Sequence, residues 1–192
     1  EVGAEMTEPI PGLAARASAR LRLLSAKVVD RRPLGADSID FELAWLADPD
    51  ALEAIDVDLG NMVDRDSRVI YQFVADEPTS YAGLRDAFGA RPMENSKGKP
   101  LRYSRMMAPA DPCALYVGSS ASFRSRIGQH VGRIGGAGTY SMRLGLWATA
   151  VPANITLRFW LYDPDINLIE LEALEQELWD SCTPLLGKRS GR

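Results

Sequence analysis

CALYVGSSASFRSRIGQHVGRI, residues 113–134, is the stretch on which the fold turns. CALYVG is a short apolar run closed by Gly118, the pattern of a buried strand. Ser119, Ser120 and Ser122 follow as candidate N-caps, because a serine oxygen can accept from the unpaired N–H groups of a first helical turn. The helix they open is expected to run to about Ile134, with Gly135, Gly136 and Gly138 as its stop. At ~100° per residue, Phe123, Ile127, Val131 and Ile134 form a core stripe about 80° wide. Arg126 and His130 stand i,i+4 on one face, beside that stripe. His130 is the only histidine of the chain, and a lone histidine in such a place is more often packed or capping than catalytic. Arg126 keeps the second use open, since a guanidinium is always charged and can grip phosphate through paired N–H donors.

Outward from this stretch, strand and helix signals alternate and no internal repeat occurs. An Ala-, Leu- and Arg-rich stretch over 12–28 reads as a helix. SIDFELAWL, around 38–46, alternates Ile39, Phe41 and Leu43 as a strand would. Pro49 then opens a short helix with acids near its start, where the helix dipole favours them. RVIYQFV (68–74) and NITLRFWLY (154–162) alternate as strands, and TYSMRLGLW (139–147) suggests a helix. Asp163-Pro164-Asp165 starts a last helix to about Cys182, ended by Pro184. The loop over 89–112 carries Pro92, Gly98, Pro100, Pro109 and Pro112 and marks an insertion at about 76–112. The expected architecture is an α/β domain of the α+β type over 67–192. Residues 1–66, a helix plus an acidic segment, are expected to be an N-terminal extension.

A chain of 192 residues, 46% of them hydrophobic, can bury one good core and is short for two full domains. The apolar share excludes wholesale disorder and a fibrous protein. No apolar run approaches the ~20 residues of a membrane helix, so no membrane partner is expected. The opening EVGAEMTEPIPG lacks the basic and apolar regions of a secretory signal. Cys113 and Cys182 form no paired ligand motif, which disfavours structural zinc and points to a reduced, cytoplasmic setting.

The net charge of −4 hides an uneven distribution. Lys97, Lys99, Arg102, Arg105, Arg124, Arg126, Arg133 and Arg143 face only Asp111 between 97 and 143, whereas residues 37–66 hold ten acids against Arg65. Arg16, Arg20, Arg22, Lys27, Arg31 and Arg32 form a further basic stretch. The central third can therefore face a phosphate backbone, or these charges are simply solvated.

On the last helix Leu168, Leu171, Leu174, Leu178, Trp179 and Cys182 define the apolar face. Glu170, Glu172, Glu177 and Asp180 fall off its centre, but Glu175 falls about 40° from Leu171, in the middle of the stripe. A carboxylate there is costly without a partner, so Glu175 is either half of a buried ion pair or a functional acid such as a metal ligand. Trp45, Trp147, Trp160 and Trp179 are expected in the core rather than as stacking platforms.

Tyr116-Val117-Gly118, Ser120, Arg126 ten residues after Tyr116, His130, and Glu175 nine residues before Pro184 together resemble the GIY-YIG nuclease family. In that family one strand ends in Gly-Ile-Tyr, its hairpin partner carries Tyr-Ile-Gly, an arginine follows on the next helix and a glutamate lies on a later one. Val69-Ile70-Tyr71 is the best match for the first motif, with Val69 in place of its glycine; the similarity covers about 69–188. Tyr71 and Tyr116 are 45 residues apart, so an insertion must fill the connection or Tyr103 is the first-motif tyrosine. Gly187 stands where asparagine is common, and Ser119 where some members have lysine.

The resemblance implies a small central antiparallel sheet flanked by helices and a metal-dependent endonuclease acting on DNA, with restriction or defence the favoured setting over repair or mobile-element processing. Glu175 would hold one Mg²⁺ (or Mn²⁺), Arg126 would bind the scissile phosphate, and Tyr116 or Tyr71 would orient or deprotonate the attacking water. A phenol accepts a proton only once ionised, so a nearby cation must favour the phenolate; His130 is the other candidate to take or relay that proton. Lys97, Lys99, Arg102, Arg105, Ser120, Arg124 and Arg133 are the candidate DNA contacts. The basic helix over 16–32 is open to three uses: DNA contact, packing on the domain, or a homodimer interface. The rival reading is a nucleic-acid-binding or regulatory module that kept the fold and lost turnover.

Overall fold

The computed structural model describes residues 12–111, 113–134 and 138–189. The opening residues 1–11 and the expected helix stop at Gly135 and Gly136 lie outside them. The chain divides into two compact units, Glu1–Arg32 and Pro33–Arg192. The first contains helix α1, Leu13–Val29, which starts after a left-handed Gly12 and carries Lys27 in its last turn, where the dipole favours a cation.

The second unit holds β1 (Gly35–Glu42), α2 (Pro49–Met62), β2 (Arg68–Ala75), α3 (Pro78–Gly89), β3 (Ala114–Ser120), α4 (Phe123–Val131), β4 (Asn154–Tyr162) and α5 (Leu168–Cys182). Its four strands form one sheet in the order β1-β4-β2-β3, every neighbouring pair antiparallel. The fold is therefore of the α+β class, a four-stranded antiparallel sheet flanked by helices. The division into units falls at 32/33, with β1 and α2 in the same unit as the other strands. The alternation read at Ile39 and Phe41 needs a partner strand, and β1 finds it in β4 from Gly35↔Leu161 to Glu42↔Asn154. The strand also ends sooner than expected, because Leu43 and Leu46 both turn inward on a 3-10 turn over Leu43–Ala47.

β2 lies between β4 and β3 and is buried along nearly its whole length, which is why RVIYQFVA is apolar on both faces. Val69, Tyr71 and Phe73 point into the larger hydrophobic cluster with Phe123, Ile127, Leu157 and Phe159. Ile70, on the other face, packs with Tyr162, Ile166 and Leu171. Sequential residues of a strand point to opposite faces, so α5 covers one face and the main core fills the other.

The helices start where their caps dictate. Asp48 accepts from Asp50 N–H just before Pro49, and Asn167 accepts from Ile169 N–H before α5. α5 thus begins later than the expected Asp163. Its face is also displaced at that end: Leu168 is 64% exposed, Ile166 fills the core in its place, and Glu170 is buried. α4 ends at Val131 on a left-handed Gly132, and Ile134, half exposed, folds back over Gly128. No helix forms over 139–147. A left-handed Arg143 (φ 56°) leaves room only for a 3-10 turn at Leu144–Leu146. Trp45, expected inside, is exposed; Trp147 and Trp179 are buried. Cys113 and Cys182 are free thiols. Among the described residues no helix is long and apolar enough to cross a membrane.

Candidate active site

Tyr71 on β2 and Gly118 on β3 stand opposite each other in the ladder, which brings the Tyr71 and Tyr116 rings into a stack with centroids 6.1 Å apart and planes 17° apart. Both rings lie over Gly118. A Cβ there would meet Tyr71 Oη at 2.7 Å and Tyr116 Cε1 at 2.9 Å, so the glycine that closes Tyr-Val-Gly is required by close approach. α4 starts three residues after β3 ends and returns over the same rings. Phe123 packs on Tyr71, with centroids 5.6 Å apart, and the His130 ring centroid lies 4.3 Å from that of Tyr116.

The polar atoms of this cluster form a connected set. Arg126 Nη2 donates to Tyr116 Oη at 3.3 Å, and its Nη1 donates to Gln129 Oε1 and to the Tyr140 carbonyl, each at 2.9 Å. The guanidinium is thus held in one orientation. His130 is fully buried, with Nε2 3.1 Å from Tyr71 Oη. Its Nδ1 accepts from the Met142 backbone N–H at 3.3 Å. A neutral imidazole whose Nδ1 accepts carries its proton on Nε2, so His130 donates to the Tyr71 oxygen. Burial holds the His130 pKa well below its ordinary value, and the Arg126 charge pushes it the same way.

Both phenols are raised above the usual tyrosine range. For Tyr71 burial is the main cause and the shift is large; for Tyr116 burial again leads, with Arg126 opposing. The cation expected beside them is present, yet burial outweighs it, and both tyrosines are neutral phenols at neutral pH. For Arg126 itself, burial works against the charge and the facing tyrosine oxygens outweigh it, leaving its pKa raised. Tyr71 is fully buried, whereas Tyr116 retains 9% exposure.

Ser119 follows Gly118 and therefore points to the opposite face of β3, toward α5. There Ser119 Oγ donates to Glu175 Oε2. Glu175 is 8% exposed, and its negative charge lies close enough to both phenols to push them upward. The five residues expected to be catalytic, Tyr71, Tyr116, Arg126, His130 and Glu175, thus gather around the β2–β3 ladder, from four elements. Tyr71, not Tyr103, stands against Tyr116: Tyr103 packs edge-on against Phe88 and donates to the Pro92 carbonyl.

The expected DNA contacts divide. Lys97, Lys99, Arg102 and Arg105 are exposed on the β2–β3 connection. Arg124 and Arg133 are each held in ion pairs with α2. Arg124 Nη2 lies 2.6 Å from Asp56 Oδ2, and Arg133 spans Asp56 at 2.8 Å and Glu53 at 3.0 Å, because α2 of the acidic segment packs beside α4. Asp56, Arg124 and Arg133 line a separate concavity of about 560 Å³ between the two helices, to which neither Tyr71 nor Tyr116 contributes. Ser120 Oγ accepts from Ser122 N–H and shapes the turn into α4.

Among the described residues no group of three or more His, Cys, Asp or Glu side chains is placed to hold a metal ion. Sequence reasoning missed Gln129 and the Tyr140 carbonyl as holders of Arg126, and Met142 N–H as the group fixing the His130 tautomer. The last two are backbone atoms of an irregular segment, and residue types carry no signal for them. No protein-family model, curated protein or solved structure matches the chain.

Proposed function

We propose that the chain is a divalent-metal-dependent endonuclease of the GIY-YIG kind that hydrolyses DNA phosphodiester bonds. The observation that carries this reading is the cluster itself: two stacked tyrosines, an oriented guanidinium and a donor histidine on one side of β3, with a carboxylate hydrogen-bonded to Ser119 on its other face. Hydrolysis of a phosphodiester is mainly positioning and neutralisation of developing charge. Arg126, fixed by Gln129, Tyr140 and Tyr116, presents its charge to the scissile phosphate without a rotamer search. Tyr116, the more accessible phenol, orients the attacking water, while Tyr71 and His130 behind it hold its ring and hydroxyl in place. His130 acts here as a donor, since both of its nitrogens are engaged.

The donors near Glu175 suit a hard cation that keeps most of its water. One carboxylate and a serine hydroxyl are oxygen groups, whereas the imidazole is committed elsewhere. Glu175 would therefore hold Mg²⁺ or Mn²⁺, which supplies Lewis-acid neutralisation of the phosphate and leaving oxygen when bound.

Pure protein incubated with supercoiled and linear DNA, with Mg²⁺ or with chelator, tests this. Cleavage is expected only with the metal, and Glu175→Gln and Arg126→Ala should each lower it by at least 10²-fold. Unchanged cleavage in both variants sinks the assignment, and metal-independent binding without any cleavage favours the regulatory-module reading.

A further inference from the structure

We propose that Tyr140, backed by Arg102, is a stacking platform for an unpaired base of the DNA strand next to the scissile phosphate, which makes the substrate single-stranded or locally opened DNA. The inference rests on the nuclease reading above and deepens it. Tyr140 is 60% exposed, although Ser141, Met142, Arg143 and Leu144, which follow it, are all buried. Its main chain faces inward: the carbonyl takes a hydrogen bond from Arg126, the guanidinium assigned to the phosphate.

The segment carrying this ring is fixed from several sides. Arg143, buried and left-handed, donates from Nε to the Arg102 carbonyl at 3.2 Å and from Nη2 to the Thr139 carbonyl at 2.9 Å. Ser104 N–H donates to the Ser141 carbonyl, and Met142 is tied to His130 through its N–H and to Trp147 through its carbonyl. The ring is therefore presented on a braced backbone, beside the phosphate-binding arginine.

The Arg102 guanidinium lies 5.5 Å from the Tyr140 ring centroid. A cation over an aromatic face, with the rest of the ring open to water, is the arrangement on which nucleic-acid bases stack, and it needs no particular base. Lys97, Lys99 and Arg105, exposed on the same connection as Arg102, supply charge along which a strand could run. A paired base has both faces covered by its neighbours, so the platform selects a strand with an unstacked base at that position.

The test separates binding from chemistry. In chelator, the affinity of labelled single-stranded oligodeoxynucleotide, of the same sequence as duplex, and of single strands with one abasic site stepped along them is measured for the unmodified protein, Tyr140→Phe and Tyr140→Ala. The single strand should bind more tightly than the duplex. One abasic position should weaken it on the order of tenfold, Tyr140→Ala should lose a similar factor and become indifferent to that position, and Tyr140→Phe should behave as the parent. With Mg²⁺ the Tyr140→Ala change should raise KM more than it lowers kcat. Equal weakening of intact and abasic strands in Tyr140→Ala, or unchanged affinity, overturns the proposal. Cleavage that persists at parental KM in Tyr140→Ala does so too, while leaving the nuclease reading intact. Loss of all metal-dependent cleavage in the parent would instead remove that reading, and the abasic scan alone would then decide the platform.

Discussion

His130 has its charge state set by everything around it: the rings of Tyr71, Phe73 and Tyr116, the Arg126 guanidinium and a backbone N–H on Nδ1. Its pKa in the native state lies well below the ordinary 6.5, while the unfolded chain titrates near that value. Above about pH 6.5 both states are neutral and histidine contributes no pH dependence. As the pH falls below that value the unfolded state takes up a proton that the native state refuses, so stability drops at up to about 1.4 kcal/mol per pH unit until the depressed native pKa is reached. Because His130 is the only histidine, the urea midpoint followed between pH 7.5 and 5.5 should show this slope, and His130→Gln should flatten it. Equal slopes in the two proteins would mean that His130 titrates in the native state much as it does in the unfolded chain. The i,i+4 spacing of Arg126 and His130 was legible in the sequence because a helix has a fixed period. The donor role was not, since it depends on Met142, a residue twelve positions away on an irregular segment whose backbone no propensity describes.

α2 and α4 meet through charges that the sequence distributes to different thirds of the chain. Asp56 is buried between Arg124 and Arg133, and Glu53 reaches only the exposed side of Arg133. Removing a carboxylate shared by two guanidiniums leaves like charges facing each other, whereas removing the outer one breaks a solvated pair. Asp56→Ala should therefore cost about 1–2 kcal/mol, below the fully buried limit because both arginines keep contact with water, and Glu53→Ala under about 0.5 kcal/mol. Urea denaturation of the two variants decides it, and equal losses would show that Asp56 is no more than a surface partner. Elements with a clean period were readable: β2, β3 and β4 alternate or run apolar, and Pro49 marks the start of α2, whereas Asp163, the expected start of α5, lies ahead of its Asn167 cap. α3 went unread although Pro78 sits at its first turn and Tyr81, Leu84 and Phe88 repeat at helical spacing. The stretch over 139–147 shows the opposite error, because an apolar pattern there is overridden by one left-handed residue that a sequence does not announce.

For the molecule as a whole, the acidic and basic segments partly neutralise each other inside one unit, through Asp56 with Arg124 and Arg133. The unit starting at Pro33 contains every member of the three hydrophobic clusters, and the same unit owns the eight-residue β1–β4 ladder. Among the described residues, a cut after Arg32 removes helix α1 and no member of these clusters. A cut after Asp66 removes β1 and α2 together, with Phe41, Leu43, Ile55 and Leu59 from the core. It also leaves β4 with a bare edge whose N–H and C=O groups invite pairing with other chains. A chain of residues 33–192 should thus retain a cooperative thermal transition and a native near-ultraviolet dichroism spectrum. A chain of residues 67–192 should be aggregated or without a cooperative transition. Soluble, cooperative behaviour in the shorter chain would return residues 33–66 to the status of an appendage, and with it the view that the sheet needs only the three strands around the tyrosines.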